Sequence, residues 1–205
     1  MSVIWTPHRF TGGVLALDTA NTVVLRHDAS RSFDRFEDPA EIGRFAEAAS
    51  SFRSAELGGR RLAAPNPTLV HGKVLAIREA TDGALRANAD AGSMPSGALQ
   101  AMLASCVDGL DAHRYELSLS GRPFGDPSTP IAFEAALSVS ALSLLAPERL
   151  GRIKICGNCG WLFLDSSRNS SRLWCDMAVC GNRQKARRHY KRHRGLQGED
   201  GHGGA

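Results

Sequence analysis

Residues 156–183 read CGNCGWLFLDSSRNSSRLWCDMAVCGNR, and the fold turns on this stretch. Cys156 and Cys159 make a CxxC knuckle, and Cys175 and Cys180 follow as a second pair. The full spacing is C-x2-C-x15-C-x4-C. Four thiolates spaced in this way can close a tetrahedron around zinc. The knuckle must turn so that both sulfurs face one point. Gly157 and Gly160 carry no Cβ, so the backbone can bend there and its amides can approach the sulfurs. Gly181 stands in the same relation to Cys180. The amides, with Lys154, Arg172, Arg183 and Lys185, would offset the excess negative charge of a four-thiolate site. Four sulfur ligands leave no position for water or substrate, so the expected Zn(2+) is one structural ion per chain. Soft ligands alone leave iron open, and zinc is preferred for its fit to a small folded ribbon. Two disulfides are the competing structural reading, disfavoured in reducing cytoplasm. A redox CxxC is a third reading, and no βαβ pattern surrounds it.

The residues between the pairs supply a miniature core. Trp161-Leu162-Phe163 reads as a strand, Asp165 to Ser171 as a polar loop, and Arg172-Leu173-Trp174 leads to the third cysteine. Trp161, Phe163 and Trp174 are expected to pack around the metal loop rather than stack on bases. So small a core buries little area, so metal binding should contribute folding energy directly. Beyond Cys180, residues 183–194 hold seven Lys or Arg and no acid. With Asn182 as its cap this run is a helix, and alone it would repel itself at i+3 and i+4. Phosphates would relieve that repulsion. Arg183, Lys185, Arg187, Arg188, Lys191, Arg192 and Arg194 are the candidate nucleic-acid contacts. Ala186, Tyr190 and His193 form a less charged side that could rest on the rest of the protein. His189 and His193 have metal-ligand spacing, but four thiols already complete the site. The helix has no broad apolar face for a membrane.

Working outward, the charge divides where the cysteines do. Residues 1–150 hold 14 basic and 17 acidic groups, a net of −3, and residues 151–205 hold 11 and 4, a net of +7. One cysteine, Cys106, lies in the first part and four in the second, so a boundary falls near Pro147 to Gly151. With 42% apolar and 22% charged residues the chain reads as globular, not disordered. No run reaches about 18 apolar residues, which excludes an ordinary membrane span. Met1 to Phe10 shows no apolar signal core, so the expected compartment is cytoplasmic and reducing.

Within residues 1–150 the reading is mostly helical. Gly13 to Leu17 and Thr22 to Leu25 read as two strands joined by an Asp18-Thr19-Ala20-Asn21 turn. Asp28 to Phe36 is ambiguous. A helix begins at Asp38 as cap, with Pro39 in its first turn, Glu41 as the capping-box acid, and Ile42, Phe45, Ala49 and Phe52 on one face. A second, about 68–88, carries Val70, Val74, Ile77, Ala80 and Ala84 inside. Arg78–Asp82 and Asp82–Arg86 are its outer pairs. A third, about 96–107, carries Leu99, Met102, Leu103 and a buried, inert Cys106. Gly109 to His113 is a turn, Tyr115 to Ser120 a strand, and residues 121–127 a loop. The fourth helix runs from Pro130 to Leu145, with Phe133, Leu137, Ala141 and Leu144 on one face, and Pro147 closes it. Asp18 and Asn21 are either a polar pair in a ligand site or a turn that caps its own backbone. The phosphate loop, dinucleotide fingerprint, HExxH and GxSxG motifs are all absent, and no catalytic constellation stands out.

The stretch Cys156 to Arg194 resembles a known family, the bacterial proteins with a CGNR-type zinc finger. The four letters are Cys180-Gly181-Asn182-Arg183 here. The likeness includes Cys156-Gly157-Asn158-Cys159, Trp161, Phe163, Asp165, Ser167-Arg168-Asn169, Arg172, Trp174-Cys175, Met177 and Lys185-Ala186-Arg187. Family members usually begin with a domain called ABATE, whose start is similar to Leu17-Asp18 with Asn21-Thr22-Val23. Ala20 stands where that domain commonly has a larger apolar residue. The family is described as stress-induced transcription regulators, so the resemblance implies DNA binding through the finger.

The expected fold is α+β: a mostly helical ABATE-like domain with a few short strands over residues 1–150, then a treble-clef or ribbon-like four-cysteine zinc module ending in a basic helix over residues 151–194. Residues 195–205 form a flexible tail. The expected partner is DNA, with the N-terminal domain sensing a small-molecule ligand or forming a homodimer, and no enzymatic role. The rival readings are an RNA- or protein-interaction module, or an N-terminal enzyme of unrecognised type.

Overall fold

The computed structural model describes residues 3–111, 128–187 and 190. The expected strand Tyr115 to Ser120, the loop that follows it and His113 lie outside these residues, as do positions 191–205. The described chain is mostly helical, with short two-stranded pairings, and ends in a small cysteine-rich module. No helix of the described residues is long and apolar enough to cross a membrane.

The apolar run Val14 to Leu17 is not a strand. Leu15–Ala20 forms helix α1, and all six of its residues are buried. A continuous apolar run carries no period, so a helix buried on every side reads like a buried strand. Tertiary partners settle the matter. The α1 N-terminus is capped from a distance: the Leu15 amide donates to Glu56 Oε2 (2.7 Å) and the Ala16 amide to Ser140 Oγ (3.0 Å). Val23–Val24 (β1) is extended as expected, but it pairs antiparallel with Phe33–Asp34 (β2), inside the segment that is ambiguous in the sequence.

Helix α2 spans Ala40–Phe52 and buries Ile42, Phe45 and Ala49 as its period requires, but Phe52, expected on the same face, is exposed at the helix end. Asp38 Oδ1 accepts from the Ala40 amide (2.9 Å). Glu41 does not fold back on the helix start. It is buried, and it accepts from the Val3 amide, Trp5 Nε1 and Arg44 instead, which ties down the N-terminal segment. Phe45 sits at the centre of an aromatic cluster with Trp5, Phe10, Phe36 and Phe133, at centroid separations of 4.9–5.8 Å. After Leu62–Ala63 (β3) comes the long α3, Pro67–Ala91, capped by Asn66 and ended by Gly92 at φ 69°.

The expected outer pair Arg78–Asp82 does not form. Arg78 is buried and grips Asp34 with two bonds of 2.7 and 2.6 Å, while Asp82 pairs with Arg86 at 2.8 Å. Burial pushes the Asp34 carboxyl up, but the Arg78 guanidinium and the Phe36 amide outweigh it and hold the acid below its ordinary value. Helix α4, Ser96–Asp111, runs past the expected turn. Gly109 lies inside it, against Ser138 and Ile77. The fourth expected helix divides into Ile131–Ala132 (β4), parallel to β3, and α5, Phe133–Ser143. Ala and Ser on α5 let its neighbours approach closely, and Phe133, Ala135, Ala136, Leu137, Ser138, Ser140 and Ala141 are all buried. Pro147 opens the single turn α6, Pro147–Leu150, rather than ending α5. Cys106 is buried, and burial raises its thiol to about 11, so it stays protonated and inert.

Candidate metal centre

The cysteine module begins with an antiparallel hairpin, Ile153–Ile155 (β5) against Leu162–Leu164 (β6). The knuckle is its loop. The Gly160 amide donates to Cys156 O (2.9 Å) and the Cys156 amide to Trp161 O (2.8 Å), which turns both sulfurs inward. Gly160 takes φ +74°, a left-handed conformation open to glycine at little cost. Gly157 lies under the Trp174 ring, where a Cβ would come within 2.9 Å of it.

The second pair comes from a helix start. Met177–Gly181 forms one wide, π-type turn that continues as α-helix over 182–187. Its cap is Asp176 and not Asn182. Asp176 Oδ1 accepts from the Ala178 and Val179 amides, whereas Asn182 reaches back to Ala178 O. An acid one residue before a helix start is the available signal. Cys175 precedes the cap and Cys180 sits in the turn, so one capped element positions both sulfurs.

The four sulfurs lie within 4.8 Å of one another. Cys159–Cys175 and Cys175–Cys180 are each 3.7 Å apart. A tetrahedral ion with metal–sulfur bonds of about 2.3 Å has an edge of about 3.8 Å, so the cage fits such an ion. All five cysteines of the chain are free thiols. Cys156, Cys175 and Cys180 are buried and Cys159 is partly so. Cys156 is the favoured thiolate. The thiols of Cys159 and Cys175 donate to it, as do the amides of those two residues, and its pKa falls far below the usual thiol value. Its bond with that sulfur pushes Cys159 up to about 12, and bonds to Cys156 and Cys159 push Cys175 higher still. Cys156, Cys159, Cys175 and Cys180 would hold a dication only after losing protons, and four thiolate ligands would leave it no open position.

Around the cage, Trp161, Phe163 and the cysteines form a separate buried cluster, with Val24 and Trp174 against it. Asp165, which reads in the sequence only as part of a polar loop, is fully buried and organises that loop. It accepts from the Ser167 and Arg172 amides (2.9 and 2.8 Å) and from Lys154 Nζ (2.9 Å). Burial pushes its acid up, but the bonds from Ser167, Lys154 and Arg172 prevail and hold it well below the carboxylate range. Lys154 also donates to Ser170 O, and Arg172 to Cys175 O. Arg183, Lys185 and Arg187 are exposed along the helix. The side chains of Arg188, Lys191, Arg192 and Arg194 lie outside the described residues, as do those of His189 and His193. Ala186 and Tyr190, on the side expected to be less charged, are both exposed.

Asp18 and Asn21 take different partners. Asp18 is buried and accepts from the Gly12 amide and from Arg53. Asn21 reaches the metal module. Its Oδ1 accepts from the Leu162 amide (2.9 Å) and its Nδ2 donates to Leu162 O (2.8 Å). The Leu164 amide donates to Gly12 O (2.8 Å). The edge of β6 that faces away from β5 is thus satisfied by the body. Arg86 Nη1 donates to Gly160 O (3.0 Å), and His8 Nδ1 lies 3.2 Å from Asp176 Oδ2. Ile153 and Leu162 belong to the main hydrophobic core.

The hairpin, the knuckle and the ligand-bearing helix start are consistent with a treble-clef-like zinc module. Residues 152–193 match the family described as CGNR zinc finger, so this segment is similar to that family over the whole ligand set. No curated protein and no solved structure matches the chain. CGNR zinc fingers are regulatory, non-catalytic modules.

Proposed function

We propose that the chain is a transcription regulator that binds DNA through a structural-zinc finger and the basic helix leaving it. The cage holds Zn(2+), one ion per chain, on Cys156, Cys159, Cys175 and Cys180. The ion fixes the knuckle against the helix start, and phosphates neutralise Arg183, Lys185 and Arg187 with Arg188, Lys191, Arg192 and Arg194. Residues 1–150 are an ABATE-like domain that senses a ligand or pairs with a second copy, in a cytoplasmic protein serving a bacterial stress response. One observation carries the reading. The helix bearing exposed Arg183, Lys185 and Arg187 starts directly on the sulfur cage and is capped by Asp176, so its cations leave in a fixed direction.

The test is a gel-retardation series of zinc-loaded protein on duplex DNA over a range of salt. Affinity should fall steeply as salt rises, and neutralising Arg187 and Lys191 together should lower the log–log slope by about 2. Metal analysis should return one zinc per chain, lost with Cys175→Ser along with DNA binding. Tighter binding to single-stranded or hairpin RNA than to any duplex DNA would move the reading to RNA. Absence of binding at low salt would end it.

A further inference from the structure

Arg9 and Arg35 differ from most arginines of the body. Arg26, Arg44, Arg53, Arg78 and Arg86 each pair with a carboxylate. Arg9 and Arg35 pair with none among the described residues, and both are half-buried. Each is held in place by other means. Arg9 follows His8 on the short helical turn Pro7–Arg9, with its guanidinium 5.8 Å from the Trp5 ring centre. Arg35 lies 5.5 Å from the Trp161 ring and 5.7 Å from the Phe33 ring, and it donates to Asn21 O (3.3 Å). Of the acids beside it in sequence, Asp34 holds Arg78, Asp38 holds Arg44 and the Ala40 amide, and the exposed Glu37 makes no ion pair with Arg35. Burial, and next the positive charge of Arg9, push the Arg35 guanidinium down to about 10. Both cations border one aromatic ring: Arg35 lies over Trp161, and His8, which precedes Arg9, stacks on that same ring.

Their position gives that arrangement a purpose. Trp161, which Arg35 covers, follows the knuckle directly. His8, the neighbour of Arg9, stacks on Trp161 at 6.0 Å and reaches Asp176, the cap of the basic helix. Phe33 is half-exposed beside Arg35. We propose that Arg9 and Arg35 form a phosphate-binding point on the helical body beside the knuckle, which engages the backbone of the same nucleic acid that the basic helix holds. The proposal rests on the nucleic-acid reading above and adds a body contact to it. Phosphate is the fitting anion, because it accepts from two guanidinium groups at once and cancels the charge of both.

The test compares the full-length, zinc-loaded Arg9→Gln, Arg35→Gln and Arg183→Gln variants with wild type on one duplex. Arg9→Gln relieves a repulsion and gives up the contact with the Trp5 ring, so its unfolding temperature should stay within a few degrees of wild type. Its affinity at about 0.1 M salt should fall roughly five- to tenfold and its salt slope by about 1. Weaker binding and a lower salt slope with folding unchanged form an outcome that a purely structural Arg9 cannot produce. Arg35→Gln should lower the slope by the same amount and also change Trp161 fluorescence. If Arg183→Gln weakens binding while Arg9→Gln leaves affinity and slope unchanged, this proposal is overturned and the helix reading stands. If wild type binds no nucleic acid, both fall together.

Discussion

Asn21→Ala tests how firmly the body holds the metal module. Asn21 makes two bonds to the backbone of Leu162, at 2.9 and 2.8 Å, in a buried place. Removing the amide deletes both and leaves the Leu162 N–H and C=O without partners. A net hydrogen bond is worth about 1 kcal/mol, and each stranded buried group costs about 1–3 kcal/mol. Allowing for relaxation, the loss should be about 2–4 kcal/mol. For a chain of this size that is a fall of roughly 6–12 °C in unfolding temperature. Asn21→Asp is the stricter variant. It keeps the acceptor for the Leu162 amide but turns an acceptor toward Leu162 O, so it should cost at least as much. The assay is urea unfolding of the zinc-loaded protein followed by tryptophan fluorescence, with the denaturant slope unchanged. Since the proposed ion would hold the hairpin that Asn21 grips, the gap between wild type and Asn21→Ala should narrow after chelation. A loss below about 0.5 kcal/mol for both variants would refute the reasoning.

Two other outcomes follow from the core. Gly109→Ala would place a Cβ 2.4 Å from Ser138 Oγ and 2.7 Å from Ile77 Cδ1, so it should destabilise by about 1–3 kcal/mol despite the better helix propensity of alanine; Ser138→Ala in the same chain should recover part of the loss, and a urea midpoint at or above wild type for the single variant would contradict the packing. Asp18 is raised from 3.8 to about 6, chiefly by burial and against the pull of Arg53, so it binds its proton more tightly folded than unfolded. Its contribution to stability is full below about pH 4 and declines as pH rises through about 6, by up to about 1.4 kcal/mol per pH unit. A carbon-13 titration of the Asp18 carboxyl should centre near pH 6, and a midpoint below about 4.5 would show that the Arg53 bond outweighs burial.

The metal module is the legible part of the sequence, because its chemistry is local. Four cysteines at ligand spacing, small residues at the knuckle and aromatic residues between the pairs point to one shared centre, and the sulfurs do converge. The interior stripes of α2 and α3 are legible too, since one buried face leaves a period. What escapes a sequence reading is set by partners far along the chain. Leu15 to Ala20 is helical because Glu56 and Ser140 take its first amides. Arg78 turns inward because Asp34, 44 residues away, receives it. Asp165 and Asp176 look like loop acids, and only the folded backbone shows the amides they collect. Asn21 lies in a segment that reads as a turn, and its two bonds span 141 residues.

Helix α3 has a mechanical consequence. Its 25 residues make a rod of about 37 Å. Near its beginning it packs beside α2, where His71 reaches Phe36 O. Farther along, Arg86 fastens it to Gly160 O within the knuckle. Pivoted at Pro67, a tilt of about 5° moves the Arg86 end by roughly 2.5 Å, close to the length of one hydrogen bond. A small push at one extremity of the body would thereby be geared up into a displacement at the sulfur cage.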